Sequence, residues 1–368
     1  MKRRAFSLLF ALLMLFTVGC TPTGDNTDPA PTSGTQTDVQ NPDSVSGTET
    51  DEKEEYPLNK VKDLVIACDQ RNTRLVIYDL SDMNEGDPLD GVEEWSVDLK
   101  GHGGASNMSG VKYREDTVFG DVIIAVASGG FAGIIKYPSK EIVWETKSCG
   151  DNPHSIEILP NGNLVCASSN GNTLRIYHTS ALLKGDKATA DTYVQYNLYG
   201  AHGVLWDPTE EVLWALGDKE LRAYGLVGEA SEQKLTVLGG MGLPLPETHP
   251  GGHDLSADFS DKNYLYVTTN KGVLRFNKEE NAFATDYPFA SVISTVCTGF
   301  GNNLNGNFAI SSRNGGKGTP WENASYASWC TDTIQFARRT GEATMVKETY
   351  KAADSAFYKV RIFHGQYQ

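Results

Sequence analysis

Leu64-Val65-Ile66-Ala67-Cys68, a short turn, then Arg74-Leu75-Val76-Ile77-Tyr78: this pair of apolar runs ending in an aromatic decides the fold, because the chain repeats it. Asn163-Leu164-Val165-Cys166-Ala167 with Leu174-Arg175-Ile176-Tyr177 matches it closely. Looser copies are Val122–Ala125 with Ile134–Tyr137, Val212–Ala215 with Leu221–Tyr224, and Leu265–Thr268 with Val273–Phe276. A sixth, Phe308–Ser311 with Thr333–Phe336, carries a long insertion between its two runs. Short runs of β-branched and aromatic residues bounded by Gly, Asn and Asp read as strands.

Each copy is followed by a further short run, such as Glu94–Val97, Ile142–Glu145 or Leu235–Leu238, and most are preceded by another, such as His154–Leu159. Four strands recurring at a spacing of about 50 residues is the pattern of propeller blades. The first copy lacks its preceding strand, while Phe357–Ile362 is one strand to spare at the other end of the chain. The expectation is therefore an all-β, six-bladed β-propeller with four-stranded blades over 61–368, its first blade closed by the C-terminal strand. Closure pairs the inner edge that the first blade would otherwise leave open. A β-sandwich with a second domain explains neither the repeat nor the spare strand.

The chain opens with Met1-Lys2-Arg3-Arg4 and an apolar run from Ala5 to Val18, too short for a comfortable membrane span. Residues 1–19 read as a signal peptide. Thr17-Val18-Gly19-Cys20 resembles the bacterial lipobox, which implies lipidation at Cys20 and a protein held on the cell envelope, facing outside the cytoplasm. Residues 20–60 are Thr, Ser, Pro, Gly, Asn and acidic residues with almost no large side chain to bury, so they read as a flexible acidic tether. The net charge of −15 argues against a nucleic-acid partner. Without Cys20 the six cysteines fall to five, with no CxxC spacing, so neither a complete disulfide framework nor a structural zinc site is indicated.

In a propeller, the loops entering each innermost strand share a face with the turns joining the second strand to the third. Sorting residues this way sends His102, His154, His202, His249 and His253, five of the seven histidines, to one face. His178 and His364 fall elsewhere. His154, His202 and His253 begin the innermost strands of three successive blades and are the candidate catalytic residues, since a neutral imidazole supplies a lone pair for a base, a nucleophile or a divalent metal. Arg71, Arg313 and Lys317 are candidates to hold a carboxylate or sulfate. Trp321, in the insertion of the sixth repeat, is a candidate to stack on a sugar, with His102 and His249 completing the expected binding set.

Pro153-His154-Ser155-Ile156-Glu157-Ile158-Leu159-Pro160-Asn161-Gly162-Asn163-Leu164 resembles the His-bearing blade segment of bacterial arylsulfotransferases, and its turn also resembles those of quinoprotein-like propellers. The first resemblance implies sulfuryl transfer through a histidine. The whole layout looks like the carbohydrate-active propellers of gut bacteria, among them uronate-directed lyases, and most like an uncharacterised family of secreted bacterial propellers. The leading expectation is a propeller that binds an acidic saccharide at a His-lined channel mouth and cleaves it by lyase chemistry. Sulfuryl transfer and a non-catalytic binding role are the alternatives.

Overall fold

The computed structural model describes residues 62–186 and 192–367. The signal peptide expected over 1–19, the lipidation site Cys20 and the tether 20–60 lie outside the described residues.

Six four-stranded antiparallel sheets form the blades of a propeller, and the strand repeat accounts for each of them. Blade 1 pairs Leu64–Asp69, Arg74–Asp79 and Glu93–Asp98 with the C-terminal strand Phe357–Ile362, which takes the innermost place. Val65 lies opposite Ile362 and Asp69 opposite Phe357, so the chain closes its ring by pairing its last strand with its first. The innermost strands of blades 2 to 6 are Met108–Thr117, Pro153–Ile158, Gly203–Asp207, Gly252–Ala257 and Gly299–Asn302.

Burial falls from the axis outwards. Pro153–Ile158 and Gly203–Asp207 are buried at every position, whereas the outermost strand of blade 3, Tyr193–Asn197, alternates with solvent. A strand covered on both faces reads as a continuous apolar run, and one covered on a single face alternates. The second strands therefore carry the strongest sequence signal.

Alternate side chains of a strand point to opposite faces, so each blade feeds two cores. In blade 1, Ile66 and Cys68 pack with Ile123 and Ala125 of blade 2, while Val65 and Ala67 pack with Ile334 and Phe336 of blade 6. The same arrangement recurs around the ring, with Trp214 and Leu216 of blade 4 meeting Leu255 and Val267 of blade 5. The five cysteines Cys68, Cys149, Cys166, Cys297 and Cys330 are buried free thiols within or beside these layers. They behave as small apolar residues.

Candidate functional site

The innermost strands are not regular where they reach the upper mouth of the channel. In blade 3 the ladder slips between Pro153 and Ser155, and in blade 5 between Gly252 and Asp254, so His154 and His253 each occupy an extra, unpaired position. A bulge of this kind re-aims a side chain. His202 immediately precedes the innermost strand of blade 4, its backbone N–H held by Leu216 O at 2.8 Å. The three rings meet: His154 and His202 have centroids 4.5 Å apart, His202 and His253 5.2 Å, and Tyr358 stands edge-on to His154 at 5.5 Å.

Hydrogen bonds assign the tautomers. Nδ1 of His154 faces Asn152 O at 2.9 Å, and Nδ1 of His202 faces Gly200 O at 2.8 Å. A carbonyl oxygen only accepts, so both Nδ1 atoms carry the proton and both Nε2 atoms are left as acceptors. His253 is reversed: Nε2 donates to Asn270 Oδ1 at 2.8 Å, and its buried Nδ1 has no partner. Burial, followed by the nearby Lys359 charge, pushes His154 down to about 3. Burial and the two neighbouring imidazoles hold His202 well below the ordinary histidine value, and burial lowers His253 in spite of its bond to Asn270. All three are neutral near pH 7.

They open into a cavity of about 420 Å³ whose wall also includes Gln70, Asn152, Asn170, Trp329 and Tyr358. A shallower groove lined by Asn172, Tyr199 and Asp218 continues from it past His202. The cavity wall holds one carboxylate, Asp151, and no Lys or Arg. It is a surface of amides, imidazole lone pairs and aromatic edges.

The remaining sequence-predicted residues fall elsewhere. Trp321 is 1 % exposed and belongs to a satellite core with Ala327, Cys330, Ala356 and Tyr358, so its expected role as a sugar platform is corrected to a packing role. The turn that buries it requires glycine: Gly316 has φ +60°, and a Cβ there would stand 2.3 Å from the Trp321 ring. The aromatic that does reach the cavity is Trp329, 36 % exposed, anchored by Nε1 donating to Gln70 Oε1 at 2.9 Å. That bond ties the blade 6 insertion to the first turn of blade 1. Arg71 is half-buried beside Gln70 and does not line the cavity; Gln70 takes that place. His102 pairs with Glu145 at 2.7 Å and does not line the cavity, and the His249 ring bonds to Thr248 Oγ1 at 3.0 Å, also outside the cavity wall. Arg313 and Lys317 are exposed on the insertion, outside the cavity wall, with Arg313 near enough to disfavour charge on His253.

A divalent metal at His154, His202 and His253 is not what this geometry builds. Among the described residues no group of three His, Cys, Asp or Glu is disposed to hold a metal ion. The open nitrogens also differ in kind: His154 and His202 keep Nε2, whereas His253 commits Nε2 to Asn270 and keeps Nδ1.

Below the histidines the channel changes character. Lys359 of the closing strand sends Nζ to His154 O at 2.9 Å and to Asp254 Oδ1 at 3.0 Å. Arg361 pairs with the same Asp254 carboxylate. On the blade 2 and 3 side, Glu157 Oε2 accepts from Lys112 Nζ at 2.9 Å and Arg114 Nη2 at 2.8 Å, and Oε1 accepts from Arg114 Nε at 2.9 Å. Burial alone would raise both carboxyl groups, but the flanking cations outweigh it and hold Glu157 and Asp254 below the usual carboxylate range. These six charges escaped the sequence reading. The signal for them was present: Lys112-Tyr113-Arg114 and Lys359-Val360-Arg361 place Lys-x-Arg on the innermost strands of adjacent blades, with both cations of each pair on one strand face.

Fold and site together define a six-bladed propeller with a histidine-lined mouth, free of Lys and Arg, above a buried ionic channel. Residues 107–306 match the family described as "Family of unknown function (DUF6528)", and the chain belongs to that family. No curated protein matches it. Among solved structures it is similar to a protein of unknown function from Bacteroides caccae, at 11 % identity and a TM-score of 0.53, over 81 % of this chain and 98 % of that one. It is also similar to a functionally unknown protein from Desulfotomaculum acetoxidans, at 12 % identity and a TM-score of 0.48, over 83 % and 100 % of the two chains. The likeness to the Bacteroides caccae protein carries the fold alone.

Proposed function

We propose that this protein is a saccharide-binding propeller, anchored to the cell envelope through Cys20, that captures a polyhydroxylated ligand at its histidine-lined mouth. The observation that carries the reading is the donor and acceptor character of the cavity wall. His154 and His202 each keep an acceptor nitrogen, which suits a sugar hydroxyl as donor, and the side-chain amides of Asn152 and Asn170 add groups of both kinds. Trp329 supplies an amphipathic ring for the CH face of a pyranose. Concave sites with a few convergent polar groups are where ligands of this size bind.

A neutral saccharide fits this wall better than the acidic one expected from sequence, because no Lys or Arg lines it. Catalysis has less support than binding. Elimination from a uronate needs a base able to remove a carbon-bound proton, and a histidine held down at about 3 is a weak one. Sulfuryl transfer needs cations around the sulfate, and the wall offers none.

The test is a panel of neutral and acidic oligosaccharides, read by calorimetry and by absorbance of any unsaturated product. Saturable binding of a neutral glycan that weakens at least tenfold in His202→Ala and Trp329→Ala, without product, supports the reading. Turnover of a uronate-containing substrate overturns it in favour of a lyase. Binding untouched by both substitutions overturns the site.

A further inference from the structure

The opposite end of the channel holds a second, smaller cavity that the saccharide reading leaves unused. It measures about 40 Å³ and is lined by Lys112, Arg114, Ser256, Asn302 and Arg361 among others. Since a water position takes roughly 10–15 Å³ of such volume, it admits a few atoms and no sugar.

Two features of its wall point to a ligand. The first is a pair of unpartnered donors: Nε of Arg361 and Oγ of Ser256 are buried with no hydrogen-bond partner, on residues 8 % and 6 % exposed. Lys112 adds a third source, because its ammonium spends one N–H on Glu157 and one on Val204 O and has three to give. The second is charge. The channel buries four basic side chains, Lys112, Arg114, Lys359 and Arg361, against two carboxylates, Glu157 and Asp254, and burial disfavours the charge on both lysines. The cavity wall itself carries three of those basic side chains and no carboxylate. An uncompensated buried charge is strongly destabilising, and a water molecule fills hydrogen bonds without cancelling it.

We propose that this lower cavity is a binding site for a small monovalent anion of halide size, held by Nε of Arg361, Oγ of Ser256 and Nζ of Lys112. The anion completes the channel electrostatically. Because Arg361 sits on the closing strand while Lys112 and Ser256 belong to blades 2 and 5, it also ties the ring closure to the innermost strands of two other blades. Burial pushes Lys112 down to about 7, and a bound anion acts against that by favouring the ammonium form.

The experiment is a set of thermal melts of the full chain in chloride, bromide and gluconate at matched ionic strength and pH, joined to diffraction from crystals grown in bromide. Gluconate is too large to enter. At ten times its dissociation constant, the halide should raise the melting temperature by about 2 °C over gluconate. Anomalous scattering should place bromide in the cavity. Arg361→Gln should lose the halide increment, and if that variant does not fold, Ser256→Ala, which keeps every charge, should reduce it by weakening halide binding. Equal melting in halide and gluconate overturns the proposal, as does a cavity occupied by water alone in the bromide crystals.

Discussion

His154 and Glu157 stand on one innermost strand, about 10 Å apart at the usual rise per residue, yet they belong to two different kinds of site. At the upper mouth the polar groups are neutral apart from Asp151, each histidine keeps one ring nitrogen without a proton, and the wall opens to solvent. In the channel beneath, the polar groups are charged and their bonds are spent mainly on one another. Groups that satisfy each other hold strands together; groups left half-satisfied are available to something else. Under the proposed reading, the ion pairs of the lower set serve stability and the open groups of the upper set serve saccharide recognition.

The largest effect that can break this division is expected at Glu157. Glu157→Gln leaves Lys112 and Arg114 buried without a counter-charge, and removing one partner of a buried ion group costs about 3–5 kcal/mol. Urea denaturation should show that loss. A change below about 1 kcal/mol would remove the channel from its structural role. Next, the two tryptophans of the blade 6 insertion separate packing from recognition. Trp321→Ala should cost about 3 kcal/mol of stability, as for a buried aromatic. Trp329→Ala should leave the melting curve nearly unchanged and weaken glycan binding about tenfold, near 1.4 kcal/mol. His202→Ala should follow Trp329→Ala, with a loss of affinity exceeding any loss of stability.

A separate test is the pH dependence of the mouth. His154, His202 and His253 are held below their unfolded value of about 6.5. In that window the unfolded chain binds more protons than the native one, so stability is fully present above about pH 6.5 and falls as the pH drops towards 3. Glu157 and Asp254, also lowered, add a loss of the same sign below about pH 4. His154→Asn, which keeps a donor for the Asn152 carbonyl, should flatten the curve between pH 6.5 and 4.5 and leave the lower limb in place. Equal slopes in variant and parent would detach the histidine from the linkage.

The propeller was legible because buried second strands such as Val65–Cys68 and Leu164–Ala167 must be apolar throughout, and because Phe357–Ile362 had no other place to go. The meeting of three histidines followed from the same register, since each begins an innermost strand. What the register does not carry is which side of a loop a side chain takes. Trp321 and Trp329 lie eight residues apart in one polar insertion, and only the Gly316 turn decides that the first goes into the core. Arg71 and Gln70 are adjacent in one turn, where a single residue reverses direction. His102 reads as a member of the mouth until Glu145, on the outermost strand of the same blade, draws it aside. The ionic channel was missed because a charge within an apolar strand was read by its neighbours. The repeated Lys-x-Arg spacing on two innermost strands was the better guide.

The pairing of Val65 with Ile362 also dictates an order of events in time. Until the final stretch of chain is available, blade 1 has no inner strand, Val65 and Ala67 lack Phe357 and Val360 beside them, and Asp254 lacks both of its cations. An interrupted polypeptide is therefore left with exposed edges and an unpaired buried acid at the same seam. Shape, core and charge at this seam are completed by one strand, so a finished ring reports that Phe357–Ile362 has been made and has docked.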